Sequence, residues 1–158
     1  MLTGIGLDII EIRRLKAAIR KKGFLKRIYR PAEITACLRA VTHRQACRQK
    51  SVPTVMPEAH PPVGWTDPPE CGGINYVQSL AARFAAKEAF LKAIGTGWGT
   101  KQSPHWKEIE ILNDKSGRPF VKLSGKARQI ARRQGIKHIH LSLTHTTTYA
   151  LAFVICER

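Results

Sequence analysis

The sequence predicts an α+β fold in which antiparallel hairpins pack against helices, because two periodicities occupy separate stretches of the chain. Apolar residues recur at every second position in residues 5–9, and again near the end in HIHLSLT and YALAFVICE, as in β-strands. Residues 79–95, SLAARFAAKEAFLKAIG, are instead rich in alanine and apolar around most of the helical circumference. Helices segregated from antiparallel hairpins are typical of the α+β class.

The first predicted strand leads directly into a helix. Ile12, Leu15 and Ile19 recur at helical spacing, so we expect the change from strand to helix near Asp8. The opposite face of this helix carries a row of cations, which makes its solvent side strongly basic. Pro31 suits the first turn of a second short helix, which we expect to run to about residue 40.

A proline-rich insertion interrupts the single domain that we expect all 158 residues to form. Six of the nine prolines lie between Pro53 and Pro69, and residues 51–82 contain no Lys or Arg. Because proline and glycine disfavour helices and strands, residues from about 38 to 78 are expected to form an extended loop. The ordered parts of the domain should therefore lie on both sides of this insertion.

The remaining elements follow the insertion. Ser79 is a suitable N-cap and Gly95 a suitable end for the alanine-rich helix. Alternating apolar residues on either side of residues 115–119 predict a hairpin, and residues 124–134 predict a basic helix. The last two strands are joined by residues 145–148, which predicts a second hairpin.

Charge is the unusual feature of the composition. Twenty-seven Lys and Arg against eleven Asp and Glu give a net charge of +16, which implies an acidic partner: nucleic acid, anionic lipid, a phosphorylated ligand or an acidic protein. Apolar stretches are too short to span a membrane, and no signal-like run opens the sequence, so we expect a cytoplasmic protein with no membrane partner. The four cysteines lack CxxC spacing and are expected to be free thiols.

Two carboxylates are candidate ligands of a hard cation. Asp8 is either a helix N-cap, supported by Glu11 in a capping box, or a ligand of a cation such as Mg2+ at the end of a glycine-containing strand. Glu88 is either one partner of an ordinary i, i+4 ion pair with Lys92 or a functional carboxylate in a mostly buried helix. Both interpretations remain open for each residue from spacing alone.

Cations and a histidine lie near these carboxylates in the predicted elements. Arg83 and Lys87 are one turn apart on the helix of Glu88, and we expect them to present cations to a metal-bound phosphate. Gly95 is predicted to be a helix C-cap. The C-terminal end of a helix carries partial negative charge, so the helix dipole does not favour phosphate there. His145, at the mouth of the last hairpin, is an acid or base, a phosphate contact or a turn residue.

Four segments in order resemble the holo-acyl-carrier-protein synthases, which are 4′-phosphopantetheinyl transferases. The segments are GIGLDIIEIRRL at 4–15, RFAAKEAFLKAIGTG at 83–97, NDKSGRPFV at 113–121 and LSLTHTTTYALAFVICE at 141–157. The resemblance covers nearly all of the chain outside the insertion. It implies the fold of that family and Mg2+-dependent transfer of phosphopantetheine from coenzyme A to a serine of apo acyl carrier protein, in support of fatty-acid biosynthesis, with release of adenosine 3′,5′-bisphosphate.

The resemblance also implies roles for individual residues. Asp8 and Glu88 match the family's metal ligands, Lys92 and Gly95 match positions close to the coenzyme, and His145 matches a histidine near the nucleotide and the active site. We expect Lys92 to neutralise charge on the leaving phosphate. The group that accepts the serine proton stays open among a metal-bound water, one of the two carboxylates and His145.

The same resemblance implies two protein contacts. Arg14, Phe24 and Arg27 match a basic surface around an apolar contact, on which an acidic acyl carrier protein would dock; the alternative is a solvated basic face. Family members form homotrimers with each active site between neighbouring subunits.

Two other functions are consistent with the composition. A nucleic-acid-binding module would explain the charge of +16, but the sequence contains no recognisable binding motif, and its aromatic residues are not interleaved with the basic ones. A homologue that binds the carrier without turnover is the second alternative. The charge is absent from the insertion and concentrated on its flanks, so two anionic substrates explain it without nucleic acid.

Overall fold

A three-stranded antiparallel sheet forms one layer of the computed structural model, which describes residues 1–38, 74–97, 99 and 103–158. Its strands are β1 (Leu2–Glu11), β4 (His138–His145) and β5 (Tyr149–Glu157), in the order β1-β5-β4. The central strand β5 pairs with both neighbours, so that Asp8 lies opposite Ala152 and Ala152 lies opposite Leu143.

The described fold also contains helices and a second hairpin. The helices are α1 (Ile12–Ile19), α2 (Phe24–Ile28), α3 (31–38), α4 (Ile74–Ala93) and α5 (Gly125–Arg133), and a 3-10 turn covers Trp106–Glu108. Strands β2 (Ile109–Asn113) and β3 (Pro119–Leu123) form the second antiparallel hairpin. The α+β class, both predicted hairpins and the helix start at Pro31 are confirmed.

Helix α4 packs directly against β1 because two glycines remove side chains from the contact. A Cβ atom on Gly4 would lie 1.9 Å from the carbonyl oxygen of Ala93, and one on Gly6 would lie 1.8 Å from that of Ala89. Neither position can therefore carry a side chain without moving the backbone. This close contact brings Asp8, two residues after Gly6, beside the helix.

The core combines residues from both sides of the insertion. Alanines on α4 face small residues of β5, and both sets are fully or almost fully buried; they include Ala82, Ala85, Ala86, Ala89, Ala150, Ala152 and Val154. The described residues thus share one core. Of the insertion predicted at about residues 38–78, residues 39–73 lie outside the described residues, and the single domain over the whole chain stays a prediction.

Two boundaries and one helix cap differ from the sequence predictions. Helix α4 begins at Ile74 and not at Ser79, so residues 74–78 belong to the helix and not to the insertion. Asp8 is not an N-cap, because β1 continues to Glu11 and α1 begins only at Ile12. The capping box is also absent, since the N-cap residue Glu11 makes no side-chain capping bond. None of the described helices is both long and apolar enough to span a membrane.

Candidate active site

An ion pair joins β1 to α4 at the edge of the sheet. Lys92 Nζ donates hydrogen bonds to Asp8 Oδ1 at 2.8 Å and to the carbonyl oxygen of Leu7 at 2.9 Å. The side chain of Asp8 is 17% exposed and that of Lys92 is 52% exposed. The pair therefore lies at the surface, with the carboxylate partly covered and the ammonium group accessible to a ligand.

Glu88 is the second carboxylate of this site. It is half-buried on α4, one turn before Lys92. Burial raises the pKa of Glu88, the negative charge of Asp8 raises it further, and the charge of Lys92 lowers it. These influences place Asp8, Glu88 and Lys92 in one electrostatic cluster. The hydrogen bonds of Lys92 go to Asp8 and Leu7 of β1, which differs from the simple helical pair with Glu88 that the spacing offered.

The donor set of this cluster fits a hard divalent cation. Mg2+ is commonly held by one or two carboxylates together with substrate phosphate oxygens and water. Asp8 and Glu88 provide two carboxylates with neighbouring charges, and their repulsion adds to the effect of burial in raising the pKa of Glu88. Within the described ranges there is no group of three or more His, Cys, Asp or Glu that would hold a metal without substrate oxygens.

Gly95 ends α4 beside this cluster. It adopts a left-handed conformation with φ of +71°, and its N–H donates to the carbonyl oxygen of Lys92 at 3.0 Å. A Cβ atom there would meet no atom within 4 Å, so the backbone conformation, not a close contact, requires glycine. The predicted C-cap is confirmed, and its contact with coenzyme stays a prediction.

His145 ends β4 on the sheet face that packs against α4. It is paired with Ala150, which lies opposite Ile10, and Ile10 is two residues from Asp8 along β1. Two strand spacings and two residues separate His145 from Asp8, which corresponds to roughly 12 Å between their Cα atoms. Within one chain, His145 thus lies on the same face as the carboxylate cluster but apart from it.

Arg83 and Lys87 do not present cations to solvent, which corrects the prediction that they bind coenzyme phosphates. Arg83 is 6% exposed and donates to the carbonyl oxygens of Ile111 and Ser79 and to Asn113 Oδ1. Lys87 is fully buried, and its ammonium group is surrounded by protein oxygens. Both side chains lie on the side of α4 that faces the second hairpin, where oxygens of β2 accept their hydrogen bonds. Their charges are therefore paired inside the protein.

The residues expected to dock a carrier protein lie on α1 and α2. Arg14 and Arg27 are exposed, whereas Phe24 is half-buried between them. The Phe24 ring stacks on Phe84 of α4 with ring centroids 6.5 Å apart. The surface therefore combines exposed cations with an anchored aromatic ring, as the prediction requires, and its function stays a prediction.

Glu33 was missed by the sequence analysis although it is fully buried. It forms an ion pair with Lys87 at 2.9 Å and accepts the backbone N–H of Ile111 at 3.1 Å. The available signal was its isolation: Glu33 is the only acid between Glu11 and residue 58 in a strongly basic stretch. An isolated carboxylate among cations on an apolar helix favours a buried ion pair.

Comparisons with known proteins agree with this fold. A family model for the 4'-phosphopantetheinyl transferase superfamily matches residues 4–154. The holo-[acyl-carrier-protein] synthase of Halothermothrix orenii is 34% identical over 99% of this chain and 98% of its own length. That of Koribacter versatilis is 37% identical over 99% of each chain.

Solved structures give the same result. The crystal structure of holo-[acyl-carrier-protein] synthase from Neisseria meningitidis matches with a TM-score of 0.69 and 28% identity over 100% of both chains. The Bacillus anthracis enzyme in complex with CoA (3',5'-ADP) matches with a TM-score of 0.62 and 29% identity, over 99% of this chain and 96% of that one.

The chain therefore belongs to the 4'-phosphopantetheinyl transferase superfamily. Within that class, the relatives it is similar to over their full length are holo-[acyl-carrier-protein] synthases. The resemblance and the fold predicted from the sequence are confirmed.

Proposed function

We propose that this chain transfers the 4′-phosphopantetheine group of coenzyme A to a serine of apo acyl carrier protein, releasing adenosine 3′,5′-bisphosphate, in support of fatty-acid biosynthesis. The observation that supports this most strongly is the cluster of Asp8, Glu88 and Lys92, in which two carboxylates and an accessible cation meet where β1 contacts α4. The family membership of the chain supports the same activity.

Asp8 and Glu88 are the residues that would hold Mg2+. When bound, the cation would polarise the pyrophosphate of coenzyme A and stabilise charge on its oxygens. The two carboxylates position the phosphate group relative to the incoming serine, since they come from elements that Gly4 and Gly6 hold in direct contact. A fixed distance between β1 and α4 is therefore part of the mechanism.

Lys92 neutralises the negative charge that develops on the leaving phosphate. Its side chain is half exposed, so the ammonium group can reach a ligand above Asp8 without unfolding of either element. Transition-state charge that is stabilised by a positioned cation lowers the barrier to transfer. Gly95, which turns the chain three residues after Lys92, adds no side chain at the end of α4.

His145 contributes to the site from β4. Its position on the α4-facing side of the sheet is consistent with contact to the nucleotide, or with proton transfer, in an assembly of several chains.

An acidic acyl carrier protein would dock on Arg14, Phe24 and Arg27. Exposed cations accelerate encounter with an acidic partner, and a partly buried aromatic ring provides contact area once the partner is bound. The two arginines are exposed and the ring is held against Phe84, which supports this role.

The outer face of the three-stranded sheet supports assembly into a homotrimer. This face, which points away from α4, exposes large apolar side chains: Ile5 is 53% exposed, Leu7 51%, Ile9 60%, Tyr149 49% and Phe153 36%. A contiguous apolar patch of this kind is typical of a protein contact. We propose that copies of this chain cover it, which would bring active-site residues from neighbouring subunits together.

The cytoplasm is the proposed location of this activity. The buried thiols Cys37 and Cys156 are free, as expected in a reducing compartment.

Mass spectrometry of the carrier protein tests the proposed function. Apo carrier incubated with the chain, coenzyme A and Mg2+ should gain the mass of a single phosphopantetheine group. A known holo-[acyl-carrier-protein] synthase acting on the same carrier is the positive control. If that control modifies the carrier and this chain does not, transfer is excluded, and carrier binding without turnover would then identify an inactive homologue.

A further inference from the structure

A fully buried lysine connects four elements next to the catalytic cluster. Lys87 Nζ lies within hydrogen-bonding distance of four protein oxygens: the carbonyl of Ile28 at 3.1 Å, Glu33 Oε2 at 2.9 Å, the carbonyl of Trp106 at 3.0 Å and that of Ile109 at 2.6 Å. Its three N–H groups serve all four, so one of them is shared between two acceptors. These acceptors come from the end of α2, from α3, from the 3-10 turn and from β2. One ammonium group thereby fixes the positions of all four elements relative to α4.

Glu33 completes this arrangement from α3. Its Oε2 accepts the Lys87 ammonium group and also the backbone N–H of Arg30 at 2.8 Å, while its Oε1 accepts the N–H of Ile111. Burial lowers the pKa of Lys87, and the charge of Glu33 opposes that shift. A buried ion pair is weak support for stability, since apolar residues of similar volume often replace it without loss, so its position in the fold needs another explanation.

Lys87 lies on the side of α4 that contacts α2, the helix that carries the candidate docking residues Phe24 and Arg27. Along this stripe, the Leu80 carbonyl accepts the Tyr29 hydroxyl at 3.0 Å, Phe84 stacks on Phe24, and Lys87 binds the carbonyl of Ile28. Three contacts on successive turns of α4 therefore hold residues 24–29.

Another side of the same helix carries the metal carboxylate. Glu88 directly follows Lys87, and its side chain is turned by about 100° around the helix axis, toward β1. The segment that carries Phe24 and Arg27 is thus tied to the turn of α4 from which Glu88 projects.

We propose that the Lys87–Glu33 ion pair positions the carrier-docking helix α2 relative to the catalytic carboxylates, so that carrier recognition depends on the pair whereas coenzyme binding does not. This inference rests on the proposed function. Lys87 and Glu33 are positioning residues, because they act through α2 and touch no substrate. Hydrogen bonds have preferred directions, so those of Lys87 favour a single position of α2 relative to α4. Apolar contacts lack this directionality and would allow several positions.

Replacing both Lys87 and Glu33 by apolar residues tests their effect on the position of α2 without a large loss of folding stability. In Lys87→Met/Glu33→Leu the charges are removed together, so neither is left unpaired in the core. Lys87→Met alone leaves the Glu33 carboxylate buried without its cation and should be less stable than the double variant. Lys137→Met is the matched control, because Lys137 is an exposed lysine outside the docking segment.

Steady-state kinetics with each substrate varied in turn is the first readout. For the double variant, the KM for apo carrier should rise about tenfold or more, while the KM for coenzyme A stays within about twofold of wild type. The control should match wild type in both constants. A merely structural pair would reduce the amount of active protein and leave both constants unchanged; that result, or an equal rise in both, overturns the inference while the proposed function stands.

Binding without coenzyme A is the second readout and does not require turnover. The Kd of apo carrier, measured by isothermal titration calorimetry, should rise about tenfold or more in the double variant. Amide hydrogen exchange in residues 24–29 should become faster, whereas that in α1 should not change. Unchanged carrier affinity in the double variant overturns the inference, whether or not the wild-type chain transfers phosphopantetheine. Absence of transfer by the wild-type chain counts only against the proposed function.

Discussion

Glu88 is a carboxylate whose charged form the fold disfavours. Because burial and Asp8 raise its pKa, the folded chain binds a proton at this site more readily than the unfolded chain does. The stabilising effect of that proton is fully present at low pH and is lost as the pH rises through the raised pKa. At neutral pH the ionised side chain therefore destabilises the fold, as expected of a residue kept for function.

Glu88→Gln should raise stability and abolish activity. At neutral pH without Mg2+, the variant should melt at a higher temperature than wild type, because the buried negative charge and its repulsion with Asp8 are removed. Transfer should fall by roughly a hundredfold or more, since one of the two oxygen ligands of the cation is lost.

Thermal melting across a pH series and the mass-spectrometric assay measure both effects. The difference in Tm should shrink as the pH falls and Glu88 becomes protonated in the folded and then in the unfolded chain, because its pKa is higher in the folded chain. A lower Tm at neutral pH would contradict the electrostatic explanation, and full activity would remove Glu88 from the site.

Gly6→Ala should destabilise the contact between β1 and α4. The new methyl group would lie 1.8 Å from the Ala89 carbonyl oxygen, so the backbone must move, at a cost of about 1–3 kcal/mol or more. Gly97→Ala is the control, because no atom of the described neighbours lies within 4 Å of a Cβ atom at that position. Urea unfolding measures both variants, and equal stability of Gly6→Ala and wild type would show that the contact is not tight.

At the scale of elements, α4 organises the molecule because its sides serve different purposes. Its alanines pack on the sheet, Glu88 and Lys92 meet Asp8, and Lys87 holds the second hairpin and α2. The sequence predicted the helix and its end at Gly95 from composition and the glycine stop.

The start of α4 could not be predicted in the same way. Ser79 is a good cap, worth about 1 kcal/mol. Burial of Tyr76, which is 1% exposed, and the bond from Gln78 to the Thr146 carbonyl outweigh that preference and extend the helix. Tertiary contacts of this kind are absent from a local pattern.

The burial of Arg83 and Lys87 could not be predicted from local sequence patterns either. In an alanine-rich helix a cation normally faces solvent, and only the convergence of carbonyl groups from distant segments makes its burial favourable. The carboxylates Asp8 and Glu88 were identified correctly as neighbours because the family resemblance joined them across eighty residues of sequence.

Arg14→Glu should slow carrier recognition through α1. We expect kcat/KM for the carrier to fall roughly tenfold at low ionic strength, with a smaller effect at high salt, because exposed charges act mainly on the rate of encounter. Arg132→Glu makes the same change of charge on the basic helix α5, where Arg132 is exposed. Kinetics at two salt concentrations compares them, and equal losses in the two variants would mean that net charge matters and location does not.

At the scale of the whole molecule, the sheet has two unlike faces. Alternation predicted the strand over residues 5–9 correctly, yet Ile5, Leu7 and Ile9 point away from α4, because glycines and Asp8 occupy the side that faces the helix. The direction of each face follows from packing, which a period of two does not specify. The exposed apolar face is therefore a finding of the structure.

Ile9→Lys should disrupt self-association. Ile9 is 60% exposed on the outer face, and a lysine there would place a charge in the proposed contact. Size-exclusion chromatography with light scattering should give a trimer for wild type and a monomer for the variant, with reduced transfer. Phe120→Lys, a change at a 40% exposed residue of β3, should remain trimeric. A monomeric wild-type chain that is fully active would refute the shared active site.

The dependence of transfer on Mg2+ in wild type and Asp8→Asn tests the central claim most directly. Wild-type transfer should rise with Mg2+ to saturation and stop when a chelator is added, because in the proposed site Asp8 and Glu88 would hold a cation that polarises the coenzyme pyrophosphate. Asp8→Asn, which keeps the shape of the side chain and removes its charge, should remain folded and show no appreciable transfer at any Mg2+ concentration. Transfer by wild type that persists in chelator, or an Asp8→Asn variant as active as wild type, would contradict the assignment of this site.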